Sequence, residues 1–190
     1  MRLNGTYSMI TGKSNSPNEA LEKLAVNREK SLDEVFMSWD VPFRLSTDFN
    51  FYIPRNKNLK IWKIPLPNDF GIYLHWQVSS GRRYTPMVDL ELEKYAETAY
   101  SALAEPWQLW DLKFTKGFHL LNLDFSAFCQ IENLLNSKID RIINPVTGRA
   151  YEPGDPIPRS WYDDLTDLPP TNPYRYREPR NIMLGLKLKF

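Results

Sequence analysis

Apolar and polar residues alternate along this chain at a period of two, the spacing of a half-buried β-strand. The pattern is plainest over 41–53. Val41, Phe43, Leu45, Thr47, Phe49, Phe51 and Ile53 run out of phase with Arg44, Ser46, Asp48, Asn50 and Tyr52. It recurs over 70–79, with Phe70, Ile72, Leu74, Trp76 and Val78 against Gly71, Tyr73, His75, Gln77 and Ser79. A third run sets Trp110, Leu112, Phe114, Phe118 and Leu120 against Asp111, Lys113, Thr115 and His119, and Lys116 breaks its apolar side. A fourth sets Leu121, Leu123, Phe125, Ala127, Cys129 and Ile131 against Asn122, Asp124, Ser126 and Gln130, with Phe128 as the exception. A weaker run opens the chain, with Leu3, Gly5, Tyr7 and Met9 against Asn4, Thr6 and Ser8. The last closes it: Ile182, Leu184, Leu186, Leu188 and Phe190 share one phase, and Gly185, Lys187 and Lys189 the other.

The links between these strands alternate in length. A long one, 13–41, contains two helix-like pieces, "NEALEKLA" and "KSLDEVF"; a shorter one follows over 54–69. The next is long, with a helix predicted over 90–103 and stopped by Pro106; a tight turn is expected near 119–122. The final link runs to about Arg180 and carries prolines 145, 153, 156, 158, 169, 170, 173 and 179, which marks an irregular loop. Up-and-down strands with long loops on one side and short turns on the other fit a transmembrane β-barrel. Aromatic residues near strand ends (Trp39, Tyr52, Trp62, Phe70, Trp107, Trp110) fit a lipid-interface belt. Arg44, Asp48, Asp124, Lys187 and Lys189 on the other phase need water or ion pairs, which a barrel lumen supplies. The expected fold class is therefore all-β: an antiparallel transmembrane β-barrel segment of about six strands over 1–190, an incomplete barrel with long extracellular loops. The alternative is a soluble β-barrel or β-sandwich binding protein that takes an apolar ligand and buries the 184–190 face.

Composition narrows the function classes. Twenty-four basic residues face 23 acidic ones, a net of +1, with no block of like charge, so nucleic acid is not an expected partner. Cys129 is the only cysteine, which excludes an intramolecular disulfide, and two histidines argue against a histidine-based metal site. No signal peptide is visible in "MRLNGTYSMI", and no run of 18 apolar residues exists. No catalytic constellation stands out, so a binding role without enzymatic activity or cofactor is expected. A lipid-modifying enzyme would need a serine or histidine set beside acidic partners, and none is seen. His75 and His119 are expected on the polar phase of separate strands, and Cys129 as a small hydrophobe. "YDDLTD" at 162–167 lacks the glycine and spacing of an EF-hand and reads as a solvated loop. Trp161, Tyr162, Tyr174 and Tyr176 are candidate extracellular-loop ligand contacts, although packing of the loop on itself is the favoured reading.

Several stretches carry a family resemblance. They are "NEALEKLAVNREKSLDEVFMSWDVPFRLSTDFNFYIP" with its Trp39-Asp40 pair, "WQVSSGRRYTP", "WDLKFTKGFHLLNLDFSAFCQIENLLNSK" ending in the Glu132–Asn136 element, "NPVTGRAY" and "PRNIMLGLKLKF". Together they resemble the C-terminal part of the barrel of TonB-dependent outer-membrane receptors of the Bacteroidota-like branch. The match departs after Trp39-Asp40, where Val41-Pro42 follows. The resemblance implies ligand uptake across the cell outer membrane, with the chain a C-terminal fragment of a longer frame that lacks plug and signal peptide. It implies outer-membrane lipid and the barrel-assembly machinery as partners, the TonB system only through missing N-terminal parts, and an unidentified small-molecule ligand. It also implies that Ile182, Leu184, Leu186, Leu188 and Phe190 form the strand recognised during barrel assembly.

Overall fold

The computed structural model describes residues 1–13, 34–92, 94–120, 123–159, 161 and 172–189. The alternating runs become the strands of one antiparallel sheet: β1 (Arg2–Tyr7), β2 (Phe43–Ile53), β3 (Phe70–Ser79), β4 (Trp107–Leu120), β5 (Leu123–Glu132) and β6 (Asn181–Lys189). They lie side by side in chain order. The register keeps like with like. Phe49, Leu74, Leu112, Ile131 and Ile182 form one apolar row, and Phe51, Ile72, Phe114, Cys129 and Leu184 the next. A slip of one residue would turn either row to the opposite face. Ring pairs reinforce the register: Trp76 and Trp110 have centroids 5.5 Å apart, Phe118 and Phe125 5.4 Å. Such pairs contribute about 0.5–1.5 kcal/mol beyond the area they bury.

Little of the buried core is on this sheet. Ile53, at the end of β2, is fully enclosed, but Leu184 and Leu186 of the apolar face are 78% and 62% exposed. Most buried apolar side chains gather instead in the layer of loops at one end of the strands, where Met37, Met87, Ala104, Ile139, Ala150 and Ile157 are buried. Two polar groups organise that layer. The buried carboxylate of Asp40 holds the Arg83 Nε at 2.6 Å and accepts from the Ile10 amide, while the Arg83 guanidinium lies 3.3 Å from the centre of the Phe36 ring. The buried Asn144 side chain donates to the Pro156 carbonyl and accepts from the Val146 amide, which closes the turn ahead of the proline-rich link.

The structure corrects three expectations. The helix predicted over 90–103 is absent from the described residues there. Met87–Asp89 pairs with Lys94–Tyr95, and Ala102–Leu103 pairs with Arg83–Tyr84. The Ala96 amide bonds to the Pro86 carbonyl, the Tyr100 amide to the Thr85 hydroxyl and the Ala104 amide to the Arg82 carbonyl, so the backbone donors point across the loop rather than along a helix. Second, the transmembrane barrel segment is not formed. β1 and β6 are opposite edges of an open sheet and do not pair with one another. Their outward N–H and C=O groups require water, and hydrocarbon offers them no partner. The apolar face is also broken by Thr47, Gln108 and Lys116, which pair into its rows. Third, the sheet does not close into a barrel of either kind; the other strand pairs among the described residues are two-stranded and separate from it, and an all-β domain of this sort is closer to the alternative reading than to the receptor segment. The helix-like piece at 18–25 lies outside the described residues. Of "KSLDEVF", the described end Val35–Phe36 is extended and pairs with Thr11–Gly12. The turn residues 121–122, "YDDLTD", Tyr162 and Phe190 also lie outside them.

Candidate functional site

Strand register assembles the polar face into rows. Arg2, Asp48, His75 and Asp111 make one row, and Asn50, Tyr73, Lys113, Gln130 and Met183 the next. Between them lies a cleft of about 530 Å³, walled by Asp48, Asn50, Tyr73, His75, Asp111, Leu112, Lys113, Gln130 and Glu132. All of these but Leu112 carry hydrogen-bonding side chains, placed there by the even-odd phase of four adjacent strands.

Asp48 is the hub. Its Oδ1 accepts from the Tyr73 hydroxyl at 2.7 Å and sits 2.8 Å from Nδ1 of His75. These two hydrogen bonds, Tyr73 first and His75 second, hold the Asp48 carboxyl below its ordinary range and keep it ionised. The same bond pushes the Tyr73 hydroxyl up, so it stays protonated and remains a donor. On the far wall, Oε1 of Glu132 accepts from Gln130, Oε2 accepts from Asn181, and Oδ1 of Asp111 accepts from the Asn133 amide. A second triad of this kind stands near the opposite end of the sheet. Asp124 lies 2.8 Å from Nδ1 of His119 and 3.2 Å from Arg55, and His119 is the leading cause of its lowered carboxyl pKa.

Phe128 explains its own break in alternation. It stands on the polar face, where its ring covers Gly185 of the neighbouring strand. A Cβ at Gly185 would come within 2.3 Å of that ring. Lys113 and Lys187 lie 5.3 and 5.8 Å from the ring centroid, so the aromatic carries two cations at the edge of the cleft.

The candidate loop residues are placed elsewhere. Tyr174 lies under the Arg141 guanidinium at 3.7 Å, and the Tyr176 hydroxyl donates to Glu152. Trp161 is half-buried, with its amide bonded to the Pro158 carbonyl. None of these three lines the polar cleft. Ile182, Leu184, Leu186 and Leu188 lie on the apolar face of the edge strand β6. Cys129 sits in the same face, opposite Phe114 and Leu184. Sequence reasoning recognised the polar phase of His75 and Asp48 without singling out their contact, because the strand register that joins them is not a local property.

Comparison with known protein families, with curated proteins and with solved structures finds no match for this chain. The resemblance to TonB-dependent receptors is thereby corrected, and the short stretches that carried it have local physical roles. Asp40 of the Trp39-Asp40 pair is one half of a buried ion pair. Within 132–136, Asn133 and Asn136 take left-handed φ values of 53° and 52°, a conformation asparagine tolerates better than most residues. Asn133 also ties the turn to the carbonyls of Ser137 and Glu178. With the family match and barrel closure both missing, the uptake-receptor function loses its support. So do the outer-membrane location and the lipid, barrel-assembly and TonB partners drawn from the same resemblance. Among the described residues no helix is long and apolar enough to cross a membrane, and no group of His, Cys, Asp and Glu side chains is arranged to hold a metal ion.

Proposed function

We propose that the chain is a binding module, without a catalytic step of its own, whose polar sheet face takes a small hydroxyl-rich ligand. The observation that supports this reading is the mixed wall of the 530 Å³ cleft. Lys113, Tyr73, Asn50 and Gln130 supply donors, and Asp48, Asp111 and Glu132 supply acceptors, side by side on a rigid ladder. A hydroxyl group both donates and accepts, so a polyol satisfies such a wall in a way that an apolar molecule cannot. Binding groups held on strands need little reorganisation when the ligand arrives.

The test is a titration of the ¹⁵N-labelled chain with sucrose as a neutral polyol probe, followed by amide shifts. The expected shifts are saturable and centre on Asp48, Tyr73, His75, Asp111 and Lys113. Asp48→Asn and Lys113→Met each remove a charged hydrogen-bonding group. Each is expected to weaken binding by about tenfold or more, the equivalent of about 1.5–3 kcal/mol for such a bond. Shifts that never saturate, or that map to the apolar face, refute the reading.

A further inference from the structure

Three arginines converge away from the polar cleft, where the links after β3 and β5 meet the start of β6. Arg82, Arg141 and Arg177 line a second cleft of about 340 Å³ together with Asp140 and Glu178. It shares no wall residue with the 530 Å³ cleft.

Each guanidinium is fixed. Arg82 donates to the Arg141 carbonyl. The Arg141 guanidinium carbon lies over the Tyr174 ring at 3.7 Å, and that of Arg177 over the Trp107 ring at 4.6 Å. A contact with an aromatic ring uses none of the hydrogen-bond acceptors that an oxyanion would supply to the guanidinium N–H groups. The carboxylates present do not neutralise the group. Glu178 is 84% exposed and reaches Arg141 only at 3.8 Å. Arg177 forms no ion pair among the described residues. Burial, and then the repulsion of Arg82 and Arg44, holds the Arg177 guanidinium below its ordinary range. Burial pushes the Asp140 carboxyl up, and its backbone hydrogen-bond partner is Ala150. All three arginines are exposed to solvent, and a cation crowded by like charges gains from an added anion.

We propose that the cleft between Arg82, Arg141 and Arg177 is an oxyanion site that takes the phosphate group of a small ligand.

The probe is inorganic phosphate, added to the full ¹⁵N-labelled chain at constant ionic strength, with the arginine Nε–H signals as readout. Saturating shifts at Arg82, Arg141 and Arg177 are expected. Arg177→Met is expected to weaken binding by at least about tenfold, and Arg82→Gln to do the same if Arg177→Met fails to fold. Arg55→Gln, at an exposed arginine outside this cleft, should leave binding unchanged. Shifts that rise linearly, or that chloride reproduces at the same ionic strength, overturn the site. Equal affinity for acetate overturns its assignment to phosphate.

Discussion

The ion pair between Asp40 and Arg83 offers the sharpest stability prediction. Asp40 is fully enclosed, and only 10% of the Arg83 side chain reaches solvent. Their 2.6 Å contact joins the segment that leads into β2 to the link that leaves β3. Asp40→Ala would leave the guanidinium over Phe36 without its anion and the Ile10 amide without its acceptor. Breaking one side of a buried pair costs about 3–5 kcal/mol. That is a large fraction of the roughly 5–15 kcal/mol that holds a domain together. Urea unfolding followed by tryptophan fluorescence should show the midpoint falling steeply at an unchanged slope. Asp40→Ala combined with Arg83→Met removes both charges and should be less damaging than the sum of the single changes, with a coupling of about 0.5–3 kcal/mol. A cost below about 1 kcal/mol for Asp40→Ala, or strict additivity in the double variant, would refute the reasoning.

Three further predictions follow from the same geometry. Ile139→Ala, in the loop-layer core, should cost about 2–5 kcal/mol, whereas Leu184→Asn, on the open face, should change folding stability by no more than about 0.5 kcal/mol; paired urea titrations decide this. Gly185→Ala should push the Phe128 ring off its seat and lower stability by about 1–3 kcal/mol, and calorimetry should show a lower Tm that Phe128→Leu partly restores. Asp48 and Asp124 have lowered carboxyl pKa values in the folded chain. They therefore add stability above the unfolded-state value of about 4, which is lost as pH falls through the lower folded values. Asp140 is raised, so its contribution has the opposite sign: present below its unfolded value and lost as pH rises through the folded one. Asp48→Asn should flatten the acid limb of a stability-versus-pH curve, and a curve unchanged from wild type would contradict the assignment.

The strands were legible because period-two alternation is a local property of residues such as Phe49, Phe51, Ile72 and Leu74. The loops were not. The stretch 90–103, stopped by Pro106, reads as a helix, but the backbone there is set by bonds to Pro86, Thr85 and Arg82. The core ion pair joins residues 43 positions apart and leaves no pattern in the chain. Barrel and open sheet share the same alternation, because closure depends on whether β1 and β6 meet at their edges. The polar cleft was half legible: its residues lie in the polar phase, but only the register brings Asp48, His75 and Asp111 into one row. Phe128 was visible as an irregularity, and its packing over Gly185 on the next strand supplies the meaning.

The open edge is the claim on which the correction of the barrel reading depends, and amide hydrogen exchange tests it most directly. Resolved by NMR, alternate amides of β1 and β6 should exchange at rates near those of unstructured chain, while those of β3 and β4 stay protected across the strand. Protection of every amide in both edge strands would contradict the open sheet and require a partner along each edge.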